Sequence, residues 1–402
     1  MTQKQKSRSQ ILMDYATLYM INSTLTDRFG KELLMPKINK VVTTVWYNKK
    51  NMHDLRRVFP EAQFVYVPFY DKDALEREAR DADVAILMGD VDPVLLGENT
   101  LQWIFCDHAG LNGSARPEVF ARGIPVTGAA GRSAPVLAEH CIYFMLQGCY
   151  HTRELLDAQS KGQWGVDGMQ SWRGLYGRTV GIVGLGNNGR QLADRLRAFG
   201  MRIISYNLAP VKGYDFIERQ LTIQGGDTIE PLLRESDFIV LCIALTDQTF
   251  HMLNRETFQQ VKKGAFLVNM ARGGVVCTED MIEALKDGTL SGAGLDVFEE
   301  QPLSPDSPLW TMPNVYITPH STPQIPDRAA ASIEIIRENA RRFEAGEPLL
   351  NLLRPSDAMD NNKAEGGWAK MLHAKLTKEQ IAQIDFDKYF GKRDWTDPSE
   401  WM

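Results

Sequence analysis

A chain of 402 residues, 44% hydrophobic and 24% charged, is longer than one ordinary core needs, so two domains plus extensions are expected. Its formal net charge of -6 argues against a general nucleic-acid binder, which needs a basic surface to meet phosphates. No stretch approaches the ~20 apolar residues of a membrane span, and five cysteines with no CxxC pair suit a reducing cytoplasm better than secretion.

At the start of the chain, MTQKQKSRSQ precedes ILMDYATLYMI, an apolar run broken by Asp14 with no small-residue cleavage site behind it. It reads as an extension rather than a leader. From about residue 40, KVVTTVW, FVYVPF, DVAILM, QWIFC and IPVTG read as buried strands separated by amphipathic stretches such as DKDALEREARDAD. That alternation predicts a parallel sheet with helices on both faces. One long helix is expected next, from SAPVLAEHCIYFML to about ELLDAQSK. TVGIVG, MRIISYN, DFIVLCIA, AFLVNM, GAGLDVF and VYITPH then supply six strands of a second parallel sheet of dinucleotide-binding type. PDRAAASIEIIRENARRFEAGE has helical spacing, and PSDAMDNNKAEGG reads as a linker. The last segment carries Trp368, Trp395 and Trp401, too aromatic for a solvated tail, and is expected to dock on the body or on a partner subunit.

Between the strand TVGIVG and the helix that follows, Gly184, Gly186 and Gly189 have GxGxxG spacing. In that context the first glycine permits a tight turn, the second a close approach to pyrophosphate, and the third close packing of helix on strand. The helix start adds N–H donors and a positive dipole end for phosphates. A glycine-rich turn without a ligand is the competing reading. Eighteen residues beyond Gly189, where an acidic residue normally binds the adenosine ribose, the chain has Asn207. Asparagine can bond a ribose hydroxyl but does not repel a 2′-phosphate, and Leu208, Ala209 and Pro210 offer no clamp for one. The stretch suits NAD and leaves NADP open.

Arg272 in FLVNMARGGVV, Gln301 in LDVFEEQP and His320 in VYITPH each follow a strand, where open α/β sheets bind ligands. With VLAEH, GIVGLGNNGR, NMARGGVV, GLDVFEEQPL, SPLW and PNVYITPH in order, the chain resembles the D-isomer-specific 2-hydroxyacid dehydrogenase family over about residues 40 to 350. The resemblance implies two doubly wound α/β domains, a Rossmann nucleotide domain and a flavodoxin-like split substrate domain. Residues 1–150 would form the substrate domain, with 1–39 as an extension, and 151–321 the nucleotide domain. Residues 322–350 would return a helix to the substrate domain, and 351–402 would extend beyond it.

The same resemblance implies that Arg272 binds a substrate carboxylate, that His320 protonates a keto oxygen as hydride arrives, and that Asp296 lies near the nicotinamide amide. Asn187, Asn188 and Ala271 join the three glycines around the cofactor. The chain departs from the family where the histidine's partner, usually glutamate, is Gln301; Glu299 and Glu300 are expected to face solvent or the loop. Glutamine can accept the imidazole N–H and fix its tautomer but cannot stabilise an imidazolium by charge. Formate dehydrogenases, related by fold, also carry glutamine there and move hydride without a proton. Met88 and Gly89 occupy positions where many phosphoglycerate-type relatives carry Arg-Ser, so a second anionic group on the substrate has no obvious partner. His108 stands near the presumed cleft in place of a glycine, as a substrate contact or as a packed histidine. Ser133 replaces an asparagine common to both hydroxyacid and formate relatives. No metal is expected. The expected partners are a small carboxylic acid and a second copy of the chain; EHCIYFMLQGCY reads as a core helix between domains, to which the resemblance adds a dimer arm. A binding protein that senses the nucleotide, as the C-terminal binding protein corepressors illustrate, is the reading from another class.

Overall fold

The computed structural model describes residues 37–322 and 325–358. They form two compact units, one made of the chain to Arg132 together with the part from Pro326 onward, the other of Ser133–Ile325. The first unit holds a five-stranded parallel sheet ordered β2-β1-β3-β4-β5: β1 Lys40–Thr43, β2 Gln63–Tyr66, β3 Val84–Leu87, β4 Trp103–Cys106 and β5 Val126–Gly128. This is the flavodoxin-like order. Successive side chains point to opposite faces and both faces are covered, so every residue of β3 and β4 is buried. Val84, Ile86, Trp103 and Phe105 enter one core; Ala85, Leu87, Ile104 and Cys106 enter the other.

Helices α1 (Lys49–Arg56), α2 (Lys72–Ala79) and α3 (Pro117–Ala121) connect these strands, the first two started by side-chain caps from Asn48 and Asp71. The returning helix, Arg328–Glu344, is capped by Asp327 and lays Ile333, Ile336, Ala340 and Phe343 on the first core. Phe343 stacks on Trp103 with ring centroids 6.1 Å apart. The first unit is thus assembled from two stretches of the chain that flank the second in sequence.

In the second unit, α4 (Ala134–Cys149) and α5 (Thr152–Ser160) precede a seven-stranded parallel sheet. Its strands are β6 Thr179–Val183, β7 Arg202–Asn207, β8 Arg219–Thr222, β9 Phe238–Leu241, β10 Ala265–Asn269, β11 Leu290–Leu295 and β12 Val315–Ile317, in the order β12-β11-β10-β9-β6-β7-β8. The order reverses between β6 and β9, the switch point of a Rossmann sheet. Helices α6 (Asn187–Ala198), α7 (Glu230–Glu235), α8 (Arg255–Phe258) and α9 (Thr278–Lys286) make the crossovers.

Three features differ from the sequence expectation, and one expectation lies beyond what the structure describes. The units divide at residues 132/133 and 325/326 rather than at 150 and 321, because α4 packs on the second sheet: Phe144, Met145 and Cys141 share a core with Phe238 and Phe266. A Cβ at Gly294 would lie 2.4 Å from Phe144, so the glycine lets helix and strand close up. The expected single long helix is two helices, broken at His151, whose φ of 44° is left-handed. Its ring stacks on Trp172 at 4.6 Å. Strand β8 was not anticipated; RQLT is an edge segment with little apolar pattern. The expected docking of residues 368–402 falls outside the described residues. Among the described residues, no helix is long and apolar enough to cross a membrane and no group of side chains could hold a metal ion.

Candidate active site

The glycine turn lies between β6 and α6. Gly184 has φ 94°, and a Cβ there would sit 2.7 Å from the Cys242 carbonyl oxygen. A Cβ on Gly189 would lie 2.1 Å from the Gly184 oxygen, so helix and turn close up only without a side chain. Gly186 faces open space and, as N-cap, leaves α6 without a side-chain cap. An uncapped helix start beside an open glycine fits a phosphate cradle, with Asn187 exposed and Asn188 half-buried at its first turn. Asn207 closes the turn from β7: its Oδ1 accepts from the Leu185 N–H at 2.5 Å and its Nδ2 donates to Ser205 Oγ at 3.0 Å. It is 7% exposed, with its oxygen and its nitrogen each holding one bond within the turn.

Arg272 follows β10, where the buried Asn269 holds the turn. Asn269 Oδ1 accepts from the Ala271 N–H at 3.1 Å, and its Nδ2 donates to the Arg272 carbonyl at 3.1 Å. Ala271 is itself buried. The next residue, Gly273, presses on the segment after β11: a Cβ there would lie 1.9 Å from the Phe298 carbonyl carbon. The Arg272 turn and the Gln301 loop are thus in backbone contact.

His320 follows β12 in a left-handed conformation, φ 52°, its N–H donating to the Asp296 carbonyl at 2.9 Å. Its Nδ1 lies 2.9 Å from Gln301 Oε1. Gln301 Nε2 donates to the Phe298 carbonyl at 3.3 Å, which turns the amide oxygen toward the imidazole. An oxygen can only accept, so Nδ1 carries the proton and Nε2 is left to meet a substrate. The side chain on His320 is Gln301. Glu299 instead pairs with His251 Nε2 at 2.5 Å and accepts from the Thr278 N–H at 2.7 Å, a loop-facing role in line with the expectation for it. His320 keeps surface toward solvent, yet the packed surroundings remove enough water to lower its pKa; Arg272 lowers it further and Asp296 opposes.

Asp296, 2% exposed, accepts from Thr318 Oγ1 at 2.6 Å and the Ser321 N–H at 2.9 Å, and has Thr322 Oγ1 at 3.3 Å. Each hydroxyl also approaches His140 of the VLAEH motif, which the sequence pattern does not mark as part of a site: Thr318 at its Nε2 and Thr322 at its Nδ1, both 3.2 Å. A lone histidine in the apolar run LAEHCIYFML was the available signal.

The second unit therefore brings together Arg272, Gln301, His320 and Asp296 beside the strand ends. A nicotinamide cofactor supplies or receives hydride when bound. The chain itself offers a guanidinium, which is able to bind a carboxylate, and an imidazole of fixed tautomer, whose Nε2 is able to bond an oxygen. Met88, Gly89 and His108 belong to the first unit. There the Met88 N–H donates to Thr44 Oγ1 at 2.9 Å, and His108 Nε2 lies 3.6 Å from Asp90. Asp90 accepts from Ser114 Oγ at 2.6 Å, and the neighbouring Asp92 is held by buried Lys72 at 2.5 Å.

The family model for the NAD-binding domain of D-isomer specific 2-hydroxyacid dehydrogenases matches residues 142–322. A glyoxylate reductase of Korarchaeum cryptofilum is 34% identical over 277 residues, covering 68% of this chain and 82% of that protein. Among solved structures, a D-isomer specific 2-hydroxyacid dehydrogenase of Xanthobacter autotrophicus in complex with NADPH and MES superposes with a TM-score of 0.67 at 26% identity, covering 80% of this chain and 99% of that one. An NADPH-dependent glyoxylate/hydroxypyruvate reductase of Sinorhizobium meliloti in complex with NADP and sulfate gives 0.66 at 25% identity, covering 79% and 99%.

Proposed function

Since the chain belongs to the D-isomer-specific 2-hydroxyacid dehydrogenase family and is an NAD(P)-dependent oxidoreductase of 2-hydroxy and 2-keto acids, we propose that it reduces a short 2-keto acid with His320 as proton donor and Arg272 as carboxylate anchor. The observation that carries this reading is the 2.9 Å contact between Gln301 Oε1 and His320 Nδ1, which presents Nε2 in one defined state. Protonated at Nε2, His320 gives that proton to the keto oxygen as negative charge develops, and Arg272 binds the adjacent carboxylate with its fork of donors. Gln301 takes no charge in the exchange. It holds the ring.

The substrate is proposed to lack a second anionic group. Residues 88–92 read Met-Gly-Asp-Val-Asp, and the lysine nearest them, Lys72, is spent on Asp92. Glyoxylate, the substrate named for the relative from Korarchaeum cryptofilum, is the first compound to test. Reduction of glyoxylate or hydroxypyruvate, followed as loss of NADH absorbance, is expected to exceed that of a phosphate-bearing keto acid by tenfold or more in kcat/KM; the reverse order would overturn the assignment. Cofactor choice is proposed as NADH first, because Leu208, Ala209 and Pro210 offer no clamp for a 2′-phosphate, with NADPH accepted, because no carboxylate at the end of β7 repels one.

Two further parts of the reading concern the cell and the assembly. The five cysteines are free thiols, which supports a cytoplasmic site. Tyr143, Tyr150, Leu156, Trp164 and Tyr176 expose between 51% and 101% of their surface along and after α4 and α5, which supports a homodimer formed through this region. A monomeric mass by light scattering at micromolar concentration would count against the dimer.

A further inference from the structure

We propose that His140 is a positioning residue: as the neutral Nε2–H tautomer it takes up the hydroxyl proton of Thr322 and so keeps one oxygen of Asp296 open to the nicotinamide carboxamide. The proposal rests on the cofactor reading above and adds a role within that site.

The hydrogen bonds fix the tautomer. Thr318 Oγ1 lies 2.6 Å from Asp296 Oδ1, and a carboxylate oxygen only accepts, so the single hydroxyl proton of Thr318 is spent there. The same Oγ1 is 3.2 Å from His140 Nε2 and can only accept from it, so Nε2 carries hydrogen. Nδ1 of the neutral ring is then an acceptor, and it faces Thr322 Oγ1 at 3.2 Å. Thr322 has one proton and two acceptors within reach, Nδ1 and, at 3.3 Å, Asp296 Oδ2. Donation to Nδ1 frees Oδ2. Asp296 Oδ1 is already filled by Thr318 and by the Ser321 N–H at 2.9 Å, so Oδ2 is the oxygen with capacity for an amide donor.

The ring is held for this task. His140 is 6% exposed on α4 and stacks on Phe144 with centroids 4.6 Å apart. Its burial lowers its pKa, with Asp296 opposing, which favours the neutral ring, and in a neutral ring the hydrogen bonds leave the proton on Nε2. A protonated ring would donate from both nitrogens, and Thr322 would have to place its proton on Oδ2.

The test compares NADH with ADP-ribose, which shares the glycine turn but lacks the nicotinamide. His140→Leu removes the acceptor, leaving the Thr322 proton to Oδ2. NADH binding, measured by tryptophan fluorescence quenching, is expected to weaken about tenfold, with ADP-ribose binding unchanged. Adding Thr322→Val removes the competing proton and is expected to restore most of the NADH affinity. Equal losses for both ligands, or no loss for either, would overturn the proposal. If His140→Leu does not fold, nitrogen-15 NMR of the unmodified protein decides instead: His140 is expected as the neutral Nε2–H tautomer, and an Nδ1–H tautomer or an imidazolium at pH 7 would refute it. Failure of the unmodified protein to bind either NADH or ADP-ribose would instead overturn the cofactor reading, and the proposal with it.

Discussion

His320 holds its proton less tightly than a free imidazole, with only Asp296 opposing. Burial and the Arg272 charge both lower the imidazole pKa, and the glutamine amide supplies no compensating negative charge. Keto-acid reduction needs the protonated ring, so activity is present below that pKa and fades as pH rises through it. Gln301→Glu should raise the pKa and carry the basic limb of the reduction profile up by about one pH unit or more. An unmoved limb, with chemistry shown to limit turnover, would mean that His320 binds substrate without giving a proton. His320→Ala should cost about 10²–10⁴-fold in kcat. Asn207 invites a separate substitution. Asn207→Asp keeps the acceptor that Leu185 uses while placing a negative charge behind the glycine turn. Binding of NADPH should weaken relative to NADH on the order of tenfold, the effect of a like charge at a few ångströms in partly screened surroundings. An unchanged ratio of the two dissociation constants would show that the 2′-phosphate lies elsewhere.

The loops after β10 and β11 work as one piece, and Gly273 is where they meet. A methyl group 1.9 Å from the Phe298 carbonyl carbon cannot be housed without separating the two backbones. Gly273→Ala should therefore move Arg272 away from the Gln301–His320 pair and lower kcat/KM by about 100-fold or more, since small misplacements of reacting groups are costly. Wild-type turnover in that variant would contradict the contact. Glu299 ties the same loop to His251 and to the start of α9, but the pair is about one-third exposed on each side and belongs to the class worth roughly 0–1 kcal/mol. Glu299→Gln should change melting temperature little and turnover only a few-fold. A loss as large as that of Gly273→Ala would promote Glu299 to a main support of the site.

Segments far apart in the chain are joined in the first unit by a buried polar knot. Arg132 pairs with Asp107 and donates to Ser332 Oγ at 2.8 Å, while Ser332 donates to Asp107 at 2.6 Å. Ser332 sits on the returning helix, so this knot and the Trp103–Phe343 stack attach that helix to a sheet completed some two hundred residues earlier. Breaking one partner of a buried pair leaves a charge without compensation. Asp107→Asn should cost about 3–5 kcal/mol of unfolding free energy, read as a lower denaturant midpoint with an unchanged slope. A midpoint equal to that of the unmodified protein would show that the knot carries no net stability.

The sequence by itself determined both sheets and most of their strands, because alternating apolar runs and glycine spacing are local signals that the backbone period reads directly. It also placed Arg272, Gln301 and His320 at strand ends, since an ordered set of motifs carries register as well as identity. It did not determine which polar groups would meet. Asn207 bonds Leu185 across 22 positions, Glu299 bonds His251 across 48, and His140 reaches Thr318 and Thr322 across 178 and 182. Those partners are chosen by how sheet and helices stack, and hydrogen bonding acts over about 3 Å, whatever the separation along the chain. The same packing moved the domain boundary to residue 132, because α4 buries its apolar face on the second sheet rather than the first.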